Sequence, residues 1–266
     1  MSDAGAAAQP GAGPSAPPRP LGPLLAGFAL DAALALVLLL LASLAAGAAW
    51  IVIEIASGAA PGTGASGEPG PLAELLMAMA GVSVPALVLY FWRRRADAGE
   101  RLRSRQAAAR PRTWLLASLV GAGCFASASV VTSLAAALGV EPMPSNQGMV
   151  EAGWQRWPAF MALFAVVLAP AYEELLFRRV LFGRFLAGGR PWLGLALSSV
   201  AFALLHEIPG LSGNDAPAML QLWLVYGGLG AAFAWVYWRT GTLWAPLAAH
   251  ALNNALALAA YAAGAA

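Results

Sequence analysis

The chain has 266 residues, of which 60% are hydrophobic and only 11% charged. A soluble domain carries about 25% charged residues, so there is too little polar surface to coat a water-facing particle, and lipid must be the outer solvent for most of the chain. The net charge of +2 comes with no basic tail, which leaves no sign of a nucleic-acid partner, and the single cysteine, Cys124, excludes an internal disulfide or a cysteine-ligated metal cluster within one chain.

Residues 1–22 are rich in Ala, Pro and Gly, lack apolar periodicity and read as a disordered tail. A hydrocarbon core of about 30 Å takes about 20 apolar residues in a helix. Spans are therefore expected at Ala32–Ile53, Leu75–Trp92, Trp114–Val140, Trp157–Leu186, Trp192–His206, Pro217–Trp238 and Leu243–Ala263. The first is too long for a secretory signal core and reads as a retained span. Stretches rich in Gly and Pro at Ser57–Pro71, Glu141–Gly153 and Glu207–Pro217 separate several of them, and eight of the ten tryptophans fall near span ends, where interfacial tryptophans belong. The fold class is all-α: a polytopic membrane helix bundle of about seven transmembrane helices in a lipid bilayer. Placing the N-terminus in the cytoplasm puts every basic residue except Arg156 on the cytoplasmic side, as the arginine bias of membrane proteins requires.

The fourth span breaks the apolar pattern with Glu173-Glu174-Leu-Leu-Phe-Arg178-Arg179. An ionised residue in mid-membrane costs about 2.5–3.5 kcal/mol on insertion scales, so two adjacent carboxylates need a reason. Glu174 and Arg178 lie four residues apart on one helix face, acid first, the favoured order for an ion pair. Glu173 points about 100° away and is left available as a base. The plainer alternative ends the helix at Tyr172 and makes both acids interfacial.

The chain has two histidines, and both fall in spans. Phe202 and His206 share a face of the fifth, and His250 and Asn254 share a face of the seventh. A lone membrane histidine usually just hydrogen-bonds between helices. Here a carboxylate, two imidazoles and an amide form a set sufficient to activate a water and stabilise an oxyanion. Glu173, His206 and His250 are alternatively a ligand set for zinc, which would activate the water instead. The residues alone leave both open.

The order Glu-Glu-x-x-x-Arg, Phe-x-x-x-His, His-x-x-x-Asn, each on a separate helix, resembles the type II CAAX prenyl protease family, whose bacterial branch is the CPBP group of CAAX proteases and bacteriocin-processing enzymes. The resemblance runs from Trp157 to Leu258. It implies an intramembrane endopeptidase that hydrolyses a peptide or protein substrate in a bacterial inner membrane. It divides the chain into the tail, three N-terminal helices with loops over 23–156, and a motif-bearing four-helix protease domain over 157–266. By matching positions, Glu173 and His206 would activate the attacking water, His250 and Asn254 would stabilise the oxyanion, and Glu174 and Arg178 would brace the site. Arg179 departs from the family pattern, in which a small residue often follows the motif arginine, and is expected near the cytoplasmic mouth. A different class of function, a non-catalytic scaffold or transporter-like protein retaining the fold, stands as the alternative; transporters usually show internal repeats with paired broken helices, and none is convincing here.

The catalytic reading requires the four polar groups to converge in one cavity in the cytoplasmic half. Of the other polar residues, Asp31, Glu54 and Glu74 are expected to face headgroups; Glu207, directly after His206, is a candidate acid supporting it, with an exterior loop position the expectation. The small residues Gly227, Gly228, Gly230, Ala231 and Ala232 are expected to allow close helix packing. Arg93–Arg112 reads as a cytoplasmic loop.

Overall fold

The computed structural model describes residues 17–58 and 70–264. Most of the expected tail and of the first Gly/Pro-rich loop lies outside these residues. Among them there are helices and no strands: α1 Leu21–Ala56, α2 Pro71–Arg93, α3 Ala98–Ala108, α4 Pro111–Ala137, α5 Gln147–Arg156, α6 Pro158–Ala187, α7 Pro191–His206, α8 Ala216–Thr240 and α9 Trp244–Ala262.

Proline sits in the first turn of α2, α4, α6 and α7, where its missing N–H has no intrahelical partner to lose. Asp215 caps α8, and Gly241 ends it in the left-handed conformation at φ 70°. Between α2 and α4, Asp97 and Glu100 form a reciprocal capping box that starts the short, arginine-rich α3.

Seven of the helices follow the expected spans in order. Five of them, α1, α2, α4, α6 and α8, are long and apolar enough to cross a membrane, and the chain is an integral membrane protein. The remaining two carry the histidines. Helix α7 has only 16 residues, and α9 has 19 but includes His250, Asn253 and Asn254, which lower its apolarity.

Helix α1 starts at Leu21, eleven residues before the expected span, and this changes the standing of Asp31. Asp31 does not face headgroups. It is fully buried and ion-paired to both Arg93 of α2 and Arg184 of α6. One carboxylate thereby ties together three helices at the end of the bundle where the arginines cluster. A buried charge without partners would be strongly disfavoured.

Two apolar cores flank the motif residues. One joins α1, α2, α6 and α7 through Leu89, Phe177, Val180, Leu181 and Phe202. The other joins α4, α8 and α9 through Ala117, Phe233, Val236, Ala245 and Ala249. Gly121 of α4 lets that helix lie directly on α9: a Cβ there would stand 2.6 Å from the Ala249 carbonyl oxygen.

Candidate active site

Helix α6 is not uniformly wound. It widens to π-type turns at Phe164–Leu168 and again at Leu175–Phe182, a departure that occurs frequently at functional sites. The first widening has a local cause and a consequence. Ala169 N–H reaches back to the Phe164 carbonyl, five residues earlier. The next bond in that register would run from residue 170 to Ala165, but Pro170 has no N–H to give. The Ala165 carbonyl is instead capped by Asn254 Nδ2 at 2.9 Å. Asn254 Oδ1 accepts from Asn253 Nδ2 at 3.0 Å.

Glu173 and Glu174 follow directly. Glu174 is buried and serves two partners: Oε1 accepts from His250 Nδ1 at 2.9 Å, and Oε2 lies 3.0 Å from Arg178 Nε. The second contact is coulombic, because neither of its atoms completes a hydrogen bond. Arg178, 1% exposed, donates Nη2 to the Gly230 carbonyl at 3.3 Å. Its guanidinium lies over the rings of Phe202, Phe233 and Phe177 at 4.8, 5.4 and 5.8 Å, so aromatic faces supply much of its solvation.

The imidazoles are fixed from behind. His206 Nδ1 lies 2.8 Å from the Phe202 carbonyl, which can only accept, so Nδ1 carries the proton. His250 Nδ1 is likewise the donor toward Glu174. In the neutral rings both Nε2 atoms are therefore acceptors. Each lies 3.8 Å from the same atom, Glu173 Oε2, which is buried without a hydrogen-bond partner. Three acceptors thus face one small volume with no donor among them. Atoms 3.8 Å apart are too distant for a direct hydrogen bond, yet close enough to share one water about 2.8 Å from each. The side chains of His206 and Glu173 are 20% and 14% exposed against 5% for His250, so solvent reaches the cluster from the His206 side.

Tetrahedral zinc with bonds of about 2.0–2.2 Å places its ligand atoms about 3.3–3.5 Å apart. The separations from Glu173 Oε2 are wider, and among the described residues no group of three His, Cys, Asp or Glu is arranged to hold a metal ion. The zinc ligand set suggested by the sequence is thus not drawn in to metal-bonding distances here.

Residues 155–256 match the family model described as type II CAAX prenyl endopeptidase Rce1-like. Over that segment the chain is similar to this family. The chain is also 30% identical over 94 residues to a Bacillus subtilis (strain 168) protein named "Putative membrane peptidase YdiL", a match covering 35% of this chain and 34% of that protein. The chain thus spans about a third of the length of this relative. No solved structure matches.

The matched segment contains Glu173, Glu174, Arg178, His206, His250 and Asn254. The structure gathers Glu173, Glu174, Arg178, His206 and His250 into one connected cluster, while Asn254, one turn beyond His250, is held to the α6 backbone. Arg179 lies beside the cluster and bonds outward, to Glu100 of α3 at 3.1 Å and to the Arg94 carbonyl at 3.0 Å. It lines a cavity of about 580 Å³ bounded by α3 on one side and reaching Tyr172 and Glu174 on the other. The Arg179 guanidinium holds the Glu100 carboxyl below its ordinary value, and burial lowers that of Arg94.

Glu207 overturns its expectation. It lies in the loop after α7 but is fully buried within it. Its Oε1 accepts from the Ser145 N–H at 2.7 Å, and the Ser145 hydroxyl donates to the His206 carbonyl at 2.9 Å. The aromatic residues of α8 that pack on the imidazoles, Tyr226 and Phe233, were not legible as site residues. Their only sequence signal was a seven-residue spacing on one helix face.

Proposed function

We propose that the chain is an intramembrane endopeptidase that hydrolyses a peptide bond with a water held between Glu173 and the two imidazoles. The observation that carries this reading is the approach of both Nε2 atoms to one buried Glu173 oxygen, in the segment that matches a family of membrane peptidases. The name of the Bacillus subtilis relative points the same way.

The water oxygen attacks the carbonyl carbon as its proton passes to Glu173, with His206 Nε2 orienting its second hydrogen. The C–O bond forms and the carbonyl π pair moves to oxygen. His250, held by Glu174 through Nδ1, would offer Nε2–H to that oxyanion once it takes up a second proton. The remaining Asn254 N–H, not used on Ala165, is a second donor. Collapse breaks the C–N bond, and the proton held by Glu173 goes to the departing nitrogen, leaving a carboxyl and an amine product. Glu174 and Arg178 hold His250 in place throughout. The substrate is a peptide or protein segment, which meets the water from the more exposed His206 side of the cluster.

The test is purified protein in proteoliposomes offered a quenched-peptide library. Wild type is expected to cleave a subset, Glu173→Gln and His206→Ala to cleave none detectably, and a strong chelator to change nothing. Equal cleavage by all three proteins would remove the mechanism. Loss of activity with the chelator would replace it by a metal-dependent one, and absence of cleavage by wild type would favour a scaffold that retains the fold.

A further inference from the structure

Helix α8 carries none of the motif residues, yet four successive positions along one of its faces meet the site. Trp223 Nε1 donates to the Glu207 carbonyl at 2.9 Å. The Tyr226 ring lies against the His206 imidazole, with centroids 4.5 Å apart and planes at 29°. The Gly230 carbonyl receives Arg178, and a Cβ at Gly230 would come within 3.0 Å of Ser199 Cα in α7. The Phe233 ring, fully buried, lies against the His250 imidazole, 4.7 Å apart at 21°. Steps of three, four and three residues keep all four on one face.

Each imidazole is anchored at Nδ1 alone, and a single hydrogen bond leaves a ring free to swing about its broad terminal torsion. A ring laid flat on the imidazole removes that freedom. His206 meets a second ring as well, Phe202 of its own helix, 4.2 Å away. The close approach at Gly230 brings α8 near enough to α7 for this to happen.

We propose that Tyr226 and Phe233 are positioning residues for hydrolysis, each fixing by ring stacking the plane of one imidazole so that its Nε2 stays aimed at Glu173. This rests on the peptidase reading above. The determinant is the ring and not the phenol hydroxyl.

The chain's two histidines make a direct test possible. Protein carrying isotope-labelled histidine, studied by NMR in micelles, gives two imidazole spin systems. Tyr226→Leu is expected to shift the His206 ring protons downfield as the ring current is lost, leaving His250 unmoved, and Phe233→Leu to do the reverse. If Phe233→Leu does not fold, Phe233→Met keeps the volume without the ring. In the cleavage assay each ring-deleting variant should lose about 10- to 100-fold in kcat with KM nearly unchanged, while Tyr226→Phe restores both kcat and the His206 shifts. Unmoved imidazole shifts in the ring-deleting variants would overturn the stacking. Moved shifts with full kcat would overturn the positioning role. A wild type without peptidase activity would remove the reading beneath the proposal while leaving the stacking measurable.

Discussion

Replacing Glu174 by Gln removes one charge from a pair in which both side chains are almost completely enclosed, 2% exposed for Glu174 and 1% for Arg178. Gln keeps an oxygen for the His250 Nδ1–H but leaves the Arg178 cation without its carboxylate. Breaking a buried pair from one side costs about 3–5 kcal/mol, mostly as the penalty of the stranded charge. Three aromatic faces and the Gly230 carbonyl still solvate the guanidinium, which places the expectation near the lower end, about 3 kcal/mol. The companion change Arg178→Met removes the stranded cation, so Glu174→Gln with Arg178→Met should be markedly less destabilised than the two single effects added together. Reversible unfolding in mixed micelles measures all four proteins of the cycle. A loss below about 1 kcal/mol for Glu174→Gln, or strict additivity in the double variant, would show that the pair does not organise this core.

Asp31→Asn strands two arginines at once, so it should destabilise by at least about 3 kcal/mol, read as a lower unfolding midpoint in the same micelles; a neutral result would contradict the three-helix tie. Gly121→Ala forces its methyl into the Ala249 carbonyl of α9, next to His250, and should lower both stability and kcat, whereas Gly123→Ala, with open space around it, should do neither. The Arg179–Glu100 pair should respond to acid. Because Glu100 titrates below its ordinary value of 4.5 when folded, its contribution is complete above that pH and is lost as the pH falls through the lowered value. Glu100→Gln should therefore abolish that part of the acid sensitivity of α3 docking, measured by hydrogen exchange of α3 amides.

The helical architecture was legible because hydropathy and length decide it residue by residue. The motif spacing was equally legible: Glu174 to Arg178 and Phe202 to His206 are single-helix relations fixed by 3.6 residues per turn. What escaped were relations between helices. Asp31 looked interfacial because its partners, Arg93 and Arg184, lie 62 and 153 residues away. Glu207 looked like an exposed loop acid because the segment that buries it, around Ser145, lies 62 residues away. The effect of Pro170 on the Ala165 carbonyl likewise appears only once Asn254 is seen to cap it. Of the four groups expected to converge, both imidazoles approach one Glu173 oxygen, while Asn254 first serves the α6 backbone.

The most direct measurement is single-turnover cleavage of the best peptide from the library in ¹⁸O-labelled water, with wild type and Glu173→Gln side by side. One ¹⁸O atom in the new carboxyl group and a rate about 10³-fold slower for the variant are expected, the size of effect that a positioned base supplies. Equal rates in the two proteins would contradict a water activated by Glu173.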